Sequence, residues 1–337
     1  MVPMTKSFYI IAFLICLQSC ATKVEQGRDV VISISGEIDP EEMGRTLVHE
    51  HMLVDFIGAD STGFHRWDRE EVVEFLTPHI RKVQEKGVKT IVECTPSFLG
   101  KDPILLQLLS ERTGMQFITN TGYYGAVSGK YLPGEINELS SEELAKRWVD
   151  EFKNGIEGTG VRPGFIKIGV NEGELLSAND QRLVQAAALT HKETGLLVVS
   201  HTGTWKTAKA QVAILKKAGI NLNNFVWVHA QNEPDFENYR EAVKEGVWVS
   251  LDGIVWDVEG HLQRLKFFKD QLGLDRVLIS HDAGWYTPGE ADQSGFKGYT
   301  SLFDELMPKL LDAGFNQDDI DKLLINNPRE AFAVRVD

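Results

Sequence analysis

The chain has 337 residues, of which 42% are hydrophobic and 25% charged, so it is long enough for one large α/β barrel or two ordinary domains. Its 49 acidic residues outnumber the 35 basic residues and give a formal net charge of −14. This charge argues against nucleic acid as a partner and against electrostatic binding to anionic lipid.

Residues 1–19 are predicted to be a lipoprotein signal peptide. Lys6 precedes an apolar stretch over residues 8–17 that is too short to span a bilayer. Leu17-Gln18-Ser19-Cys20 then resembles the lipobox at which a bacterial signal peptidase cuts before a cysteine that becomes lipidated. An ordinary secretory signal cut near Ala21 is the alternative. We therefore expect Cys20 to be the lipid anchor, residues 20–29 to be a tether, and the protein to lie in the cell envelope on a bacterial membrane.

Short apolar runs alternate with helix-compatible stretches along the rest of the chain. The first of these features, residues 30–38, is predicted to form a β-hairpin below a barrel, with its turn at Gly36-Glu37. Eight runs with continuous apolar character are typical of parallel strands buried on both faces, namely residues 47–55, 90–95, 116–121, 165–170, 196–201, 225–229, 247–251 and 277–282. Predicted helices cover residues 69–86, 180–194, 204–218 and 235–245, and a loop over 284–299 leads to two more at 299–313 and 317–334.

This alternation predicts the fold class. Eight strand–helix units favour an α/β fold of the (β/α)8 TIM-barrel type, with a short N-terminal β extension and C-terminal helices. A doubly wound sheet is the competing interpretation. Since the chain has no Pro-, Gly- or Ser-rich linker, residues 30–337 are expected to form a single domain.

Two histidines two residues apart, His49 and His51, lie on the first predicted strand. Alternate side chains of a strand share a face, so both imidazoles point one way and Glu50 points the other way. Each buried ring nitrogen needs a partner, and a metal ion supplies one. The pair therefore predicts a metal site.

Later strand ends add further ligand-type residues. Active-site residues of a barrel come from the C-terminal ends of its strands. A lone strand histidine is more often a hydrogen-bonded core residue, but repeated coincidences at one barrel face favour ligands. The candidates at those ends are Lys167, His201, His229 and Asp282.

Lys167 has apolar neighbours on both sides, so a charged ammonium there is costly unless it is paired. One chemical solution is carbamylation, in which lysine adds carbon dioxide and becomes an anionic ligand able to bridge two metals. Pairing with a carboxylate such as Glu172 is the alternative. A binuclear site of four histidines and one aspartate needs another anion, and this favours carbamylation.

These residues stand in motifs that resemble the phosphotriesterase family of the amidohydrolase superfamily. The similarity runs in order from Gly44 to the C-terminus, through residues 44–51, 164–168, 199–202, His229, 279–282 and 327–328. The resemblance implies a (β/α)8 barrel with two divalent metals, often zinc, with Mn, Co or Fe as alternatives. It assigns His49, His51 and Asp282 to the buried metal, His201 and His229 to the exposed metal, and N6-carboxylysine at Lys167 as the bridge.

The resemblance also implies a mechanism. A hydroxide bridging both metals attacks a small-molecule substrate, and Asp282 accepts the proton that is released. The neighbouring His281 is expected to point away from the metals and to be structural.

Differences between this chain and the motifs of known branches of the family predict which bond it cleaves. Tyr124 aligns with a tyrosine that the lactonase branch places beside its metals, so it is a catalytic candidate. At the seventh strand the chain reads Leu251-Asp252-Gly253, where lactonases have Leu-Asp-Arg and the phosphotriesterase proper has Leu-Asp-His. Asn232 stands where the latter has a relay aspartate. We therefore expect a hydrolase of lactones or carboxylic esters, with a phosphotriester or amide hydrolase as the alternative.

Aromatic residues follow several strand ends and are predicted to bind the apolar part of a substrate. They could line a pocket for an acyl chain or stack on a sugar ring, or they could simply pack the loops onto the barrel. Arg162 and Lys130 are candidates for an anionic substituent. The aromatic candidates are Tyr123, Tyr124, Trp205, Trp256, Trp285 and Tyr286.

Three other interpretations stay open at this point. A mononuclear deaminase on the same barrel would have no need of Lys167. A lipoprotein that binds a ligand without catalysis is the non-enzymatic alternative, since a fold alone does not prove activity. For the oligomeric state, a homodimer is kept open.

Overall fold

A computed structural model describes Met1 and residues 27–336. Strands and helices alternate through this range, as the sequence predicts. The strands are β1 Arg28–Ser33, β2 Gly36–Ile38, β3 Arg45–Leu53, β4 Val88–Glu93, β5 Gln116–Ile118, β6 Asn120–Thr121, β7 Phe165–Gly169, β8 Leu197–His201, β9 Phe225–Val228, β10 Trp248–Leu251, β11 Val277–Ile279, β12 Gly284–Tyr286 and β13 Val334–Val336.

The helices lie between the strands and after them. None of those in the described part of the chain is both long and apolar enough to cross a membrane. They are α1 Arg69–Glu85, α2 Pro103–Thr113, α3 Gly134–Asn137, α4 Ser141–Asn154, α5 Ala178–Thr194, α6 Trp205–Lys217, α7 Glu237–Lys244, α8 Val258–Gln271, α9 Met307–Asp312, α10 Gln317–Asp321 and α11 Asn327–Phe332, with π-helical turns at Leu302–Leu306 and Lys322–Asn326.

Local sequence sets the ends of the helices. For α5, the Ser177 hydroxyl accepts a hydrogen bond from the Asp180 backbone N–H and caps the first turn. Gly195 ends the same helix in the left-handed region, at φ 72°, and donates its N–H to the His191 carbonyl. The chain can then turn directly into β8, whose last residue is His201.

Parallel pairing gives the strands their barrel order. Strands β6 to β11 form one run of parallel neighbours, and β12, β3, β4 and β5 form another. Thr119 alone separates β5 from β6, so the two runs share one interrupted strand. At the other seam, Asp282 N–H donates to the His49 carbonyl at 3.1 Å and His51 N–H donates to the Ala283 carbonyl at 2.9 Å. The predicted α/β barrel fold is confirmed.

The N-terminal hairpin packs under the barrel. Val31 lies in one buried apolar cluster with strand residues of the barrel interior and with Phe332 of α11, so hairpin and C-terminal helix together close this end. The turn of the hairpin is at Ile34 and Ser35, not at the predicted Gly36-Glu37, because Gly36 already pairs with Ser33. Strand β1 begins at Arg28, so the last two residues of the predicted tether belong to the fold.

Two predictions for the C-terminal part are corrected. The helix predicted over 317–334 is interrupted by a π-helical turn and ends at Phe332, because Val334 pairs with Val30 as an edge strand. The loop predicted over 284–299 contains strand β12, which pairs with β3. Gly284 is required there, since a Cβ at this position would lie 1.8 Å from the His51 carbonyl oxygen.

Several sequence predictions lie outside what the structure describes. Residues 2–26, which include most of the predicted signal peptide and the lipid-anchor residue Cys20, are not among the described residues. The signal peptide, the anchor, the envelope location and the homodimer therefore stay predictions.

Candidate metal centre and active site

Six predicted ligands meet at the C-terminal mouth of the barrel. All of them line one pocket with a volume of about 180 Å³. The side-chain donor atoms of His49, His51 and Asp282 lie within 4.8 Å of one another. The six are His49 and His51 on β3, Lys167 on β7, His201 at the end of β8, His229 directly after β9 and Asp282 after β11.

Glu50 occupies the opposite face of β3, as strand alternation requires. Its fully buried carboxylate accepts hydrogen bonds from the Ser280 hydroxyl at 2.8 Å, from His281 Nδ1 at 2.7 Å and from the Ala283 N–H at 3.1 Å. The other ring nitrogen of His281, Nε2, accepts from the Leu302 N–H at 3.0 Å. His281 therefore points away from the pocket, and Glu50 fixes the segment that carries Asp282.

Backbone conformation also aims two of the ligands. His229 has φ 60° and Asp282 has φ 52°, both in the left-handed region that residues other than glycine rarely adopt. Such conformations cost free energy and persist where the surrounding structure holds them. Here they turn each side chain into the pocket directly after its strand.

Hydrogen bonds determine which nitrogen of His51 is free. The Thr95 hydroxyl donates to the Leu53 carbonyl at 3.2 Å, so its oxygen accepts from His51 Nδ1 at 2.8 Å. The lone pair of His51 Nε2 therefore faces Oδ1 of Asp282, 3.0 Å away. Two acceptors at this distance repel unless a cation lies between them.

The same reasoning applies to His229. Its Nδ1 lies 2.7 Å from Oδ1 of Asp252, and since a carboxylate can only accept, this nitrogen carries the proton. The lone pair of Nε2 then faces Nδ1 of His201 at 2.6 Å. On its far side, His201 Nε2 lies 2.9 Å from the Tyr124 hydroxyl.

Lys167 is buried and takes part in no ion pair within the described part of the chain. Its Nζ lies 3.2 Å from His49 Nε2, and the sequence alternative of a pair with Glu172 is not seen. Burying an ammonium ion beside a ring nitrogen, without a carboxylate partner, costs free energy. The neutral amine is also the form that reacts with carbon dioxide.

The electrostatics of the pocket favour neutral rings at His49 and His201 and an ionised Asp282. Burial lowers the pKa of His49 to about 4, and burial and His229 lower the pKa of His201 well below its ordinary value. Burial alone would raise the pKa of Asp282, but the neighbouring histidines hold it well below its usual range. The pKa of His229 is raised, because the effect of the Asp252 carboxylate outweighs the effect of burial, which by itself would lower it.

These residues fit a metal centre. Imidazole lone pairs and a carboxylate converge in a buried pocket, and divalent zinc prefers such nitrogen and oxygen donors. Proton-bearing nitrogens of His51 and His229 are held by partners outside the donor set, which is the usual arrangement around metal-binding histidines. His49, His51 and Asp282 could hold one metal ion, and His201 and His229 could hold another.

The aromatic predictions divide into two groups. Tyr124 and Trp285 line the pocket. Trp256 is exposed beside the mouth, with its ring 5.7 Å from that of Trp285.

Three other aromatics predicted to bind substrate do not line this pocket and face the helices. Tyr123 packs against Trp148 of α4 behind the strand layer. Trp205 starts α6, is buried, and donates its Nε1–H to Glu241 at 2.8 Å. Tyr286 follows Trp285 on the opposite side of its strand and contacts Phe75 of α1.

The two candidate cations are also placed. Arg162 pairs with Glu37 of the hairpin at 3.0 Å, at the far end of the barrel from the pocket. Lys130 donates to the Phe56 carbonyl at 2.6 Å beside the mouth, and its side chain is exposed. Neither lines the pocket.

Sequence reasoning missed two kinds of residue. The apolar wall of the pocket includes Val54, Phe56 and Leu99, and the first two lie in the short segment that follows β3. The sequence motif assigned no role to Asp252, although this residue stands directly after β10 and accepts a hydrogen bond from His229. In both cases the position after a strand end was a usable signal, since this is where a barrel builds its site.

Known proteins resemble this chain over nearly its whole length. A model of the Phosphotriesterase family matches residues 30–332. The phosphotriesterase homology protein of Escherichia coli K12 is 29% identical over 294 residues, covering 86% of this chain and 98% of that protein. Its crystal structure with phosphate in the active site has a TM-score of 0.77, at 28% identity, and covers 88% of this chain and 100% of that one.

Two other relatives carry names that state an activity. An aryldialkylphosphatase of Saccharolobus solfataricus is 25% identical over 312 residues, covering 88% of this chain and 97% of its own length. An N-acetyltaurine hydrolase of Danio rerio is 25% identical over 346 residues, covering 90% and 97%. Proteins of the family are binuclear metal enzymes. This chain is therefore a metal-dependent hydrolase and belongs to the phosphotriesterase family.

Proposed function

We propose that this hydrolase cuts lactones or carboxylic esters. The observation that carries the proposal is the Tyr124 hydroxyl, which lies inside a pocket whose other walls are mostly apolar. A tyrosine in this place can donate a hydrogen bond to an ester oxygen, while the walls accept an uncharged acyl group or lactone ring. Apart from Lys167, no lysine or arginine lines the pocket in the described part of the chain, so no further side chain there offers an ion pair to an anionic substituent of the substrate.

Tyr124 is positioned to donate a hydrogen bond to the substrate. When Nδ1 of His201 is a metal ligand, Nε2 carries the ring proton and donates it to the Tyr124 oxygen 2.9 Å away. The phenol proton is then free to point at the substrate. Burial and the charge of Asp282 raise the pKa of Tyr124, so the hydroxyl keeps its proton at neutral pH.

Asp282 is the proton acceptor in this proposal. Two divalent metals held by the donor set would act as Lewis acids on the substrate carbonyl and on the attacking water. Asp282 is ionised, contacts His51 at 3.0 Å and has part of its side chain exposed to the pocket. It accepts the proton of the attacking water and releases it to solvent. Neither Asn232 nor Gly253 offers a titratable group that could pass the proton further.

We also propose that Lys167 carries the carbamate. Its burial without a carboxylate partner and its place beside His49 Nε2 support this. Protein prepared in ¹³C-bicarbonate is expected to give a carbamate carbon signal that is absent in Lys167→Ala. Lys101→Ala is the matched control, because Lys101 is also buried but donates to the Asn120 carbonyl and lies near Glu151. A signal that disappears equally in both variants, or that is missing from the metal-loaded wild type, contradicts the assignment.

Two other reactions on the same site are favoured by specific names among the relatives. The aryldialkylphosphatase supports phosphotriesters, and the N-acetyltaurine hydrolase supports amides. Turnover of γ- and δ-lactones, aryl esters, dialkyl aryl phosphates and N-acyl amino acids by metal-loaded protein separates the three. We expect the highest kcat/KM for lactones or esters. A higher value for the phosphate or amide substrates overturns the proposal, and inactivity on all of them favours a binding protein.

A further inference from the structure

One buried carboxylate faces ligands of both metal positions. Asp252 has no exposed surface. Its Oδ1 accepts from His229 Nδ1 at 2.7 Å, and its Oδ2 faces His49 Nδ1 at 3.4 Å. The Ser250 hydroxyl also donates to Oδ2, at 2.7 Å. The orientation of this one carboxylate therefore decides where a ligand of each metal position points.

Gln231 holds that carboxylate from a second side. Its Nε2 donates to Oδ1 of Asp252 at 3.1 Å, and its Oε1 accepts from the Asp252 backbone N–H at 3.1 Å. Because both ends of the amide are bonded to one residue, the amide can adopt only one orientation there. The contact is thus directional, unlike simple packing.

Gly253 makes the room for this amide. A Cβ at position 253 would lie 2.6 Å from Gln231 Nε2, closer than carbon and nitrogen atoms can approach. The space beside Gly253 is filled by the amide of Gln231.

We propose that Gln231 is a positioning residue for the metal centre, acting through Asp252 in the space left free by Gly253. By fixing Asp252, it keeps the Nδ1 proton of His229 engaged and the Nε2 lone pair aimed into the pocket, and it keeps Oδ2 facing His49. Its removal weakens both metal positions together, because the two ligands share one carboxylate. The proposal rests on metal binding by these histidines and does not depend on which bond the enzyme cuts.

The test compares Gln231→Met with the wild type. Methionine keeps the length of the side chain but has no amide to bond Asp252. Zinc affinity is measured by competition with a chelator, together with the Co²⁺ absorption spectrum, which reports ligand geometry. We expect about 10-fold weaker zinc binding at both positions, in the range found for residues that orient metal ligands. The melting temperature of the metal-free protein should change little. Asn232→Ala is the control, since this neighbour is exposed and contacts none of these groups through its side chain.

A second variant tests the space at position 253. Gly253→Ala should displace the Gln231 amide and weaken zinc binding to a similar degree. Because both changes break the same contact, the double variant should be no weaker than either single variant, whereas independent effects would multiply.

The outcomes separate this proposal from the metal assignment. Wild-type protein that binds no zinc overturns both. Zinc binding by the wild type that is unchanged in Gln231→Met overturns the role of Gln231 alone. Loss of one metal without the other overturns the shared action through Asp252.

Discussion

At the scale of single residues, the metal chemistry depends on groups that do not themselves face the pocket centre. Thr95 fixes the tautomer of His51 and Asp252 fixes that of His229, so in each ring one nitrogen holds the proton and the other offers a lone pair. The ligands are therefore oriented before any metal arrives.

Asp282 provides the first prediction at this scale. Asp282→Asn keeps the size of the side chain and its acceptor oxygen but removes the charge that accepts a proton. We expect kcat for a lactone or ester to fall about 100-fold or more, as for the loss of a general base. The melting temperature should stay close to that of the wild type. Full activity in the metal-loaded variant would rule out the role of Asp282 as base.

Tyr124 provides the second prediction. Tyr124→Phe removes the hydroxyl beside His201 and should lower kcat/KM for lactones about 100-fold, the lower end expected when one hydrogen bond to the reacting oxygen is lost. Metal content should be unchanged. Tyr123→Phe is the matched control, because Tyr123 packs outside the pocket and should leave kcat/KM as it is. Equal losses in both variants would speak against Tyr124 as a donor.

At the scale of elements, strand β3 works on both of its faces. The inner face carries His49 and His51, and the outer face carries Glu50, which binds the segment from Ser280 to Ala283. A single strand therefore places two ligands directly and a third, Asp282, through the bonds of Glu50.

Glu50→Gln tests this arrangement. The amide NH₂ would face N–H and O–H donors in a fully buried site, leaving groups there without acceptors. We expect the free energy of unfolding to fall by about 3 kcal/mol, typical of breaking a buried charged network. Urea unfolding of the metal-free protein measures it. Glu70→Gln, at an exposed position of α1, should change it by less than about 0.5 kcal/mol.

At the scale of the whole molecule, buried histidines tie stability to pH. Burial lowers the pKa of His49 to about 4, and it also lowers the pKa of His201, His191 and His261. These rings stay neutral in the folded protein at pH values where the unfolded chain already binds protons. The folded protein therefore has its full stability above about pH 6.5, and its free energy of unfolding decreases as the pH falls below this value.

The prediction is a loss of stability of the metal-free protein between pH 6.5 and 4. His49 alone should contribute about 3 kcal/mol of the loss, since its pKa changes from 6.5 to about 4 on folding. The raised pKa of His229 offsets part of it. Urea unfolding at pH 7, 6, 5 and 4 in the presence of chelator measures the slope. A free energy of unfolding that stays constant over this range would contradict the prediction.

The sequence alone was sufficient to predict the repeating strands of the barrel. Continuous apolar runs located the eight barrel strands to within a few residues, because a parallel strand buried on both faces has little choice of side chain. The exceptions lay where long-range pairing decided the structure. Strand β12 and the edge strand β13 exist because β3 and β1 offer them hydrogen bonds, which no local pattern reveals.

By itself, the sequence determined the order of the ligands along the chain, because strand periodicity put His49 and His51 on one face and strand ends marked His201, His229 and Asp282. Only the tertiary structure decided which aromatics line the pocket, since Tyr123 and Tyr124 are neighbours in sequence but face opposite sides. It also decided that Asp252 and Gln231 support the ligands, because their contacts join groups whose distance depends on how the strands close into a barrel.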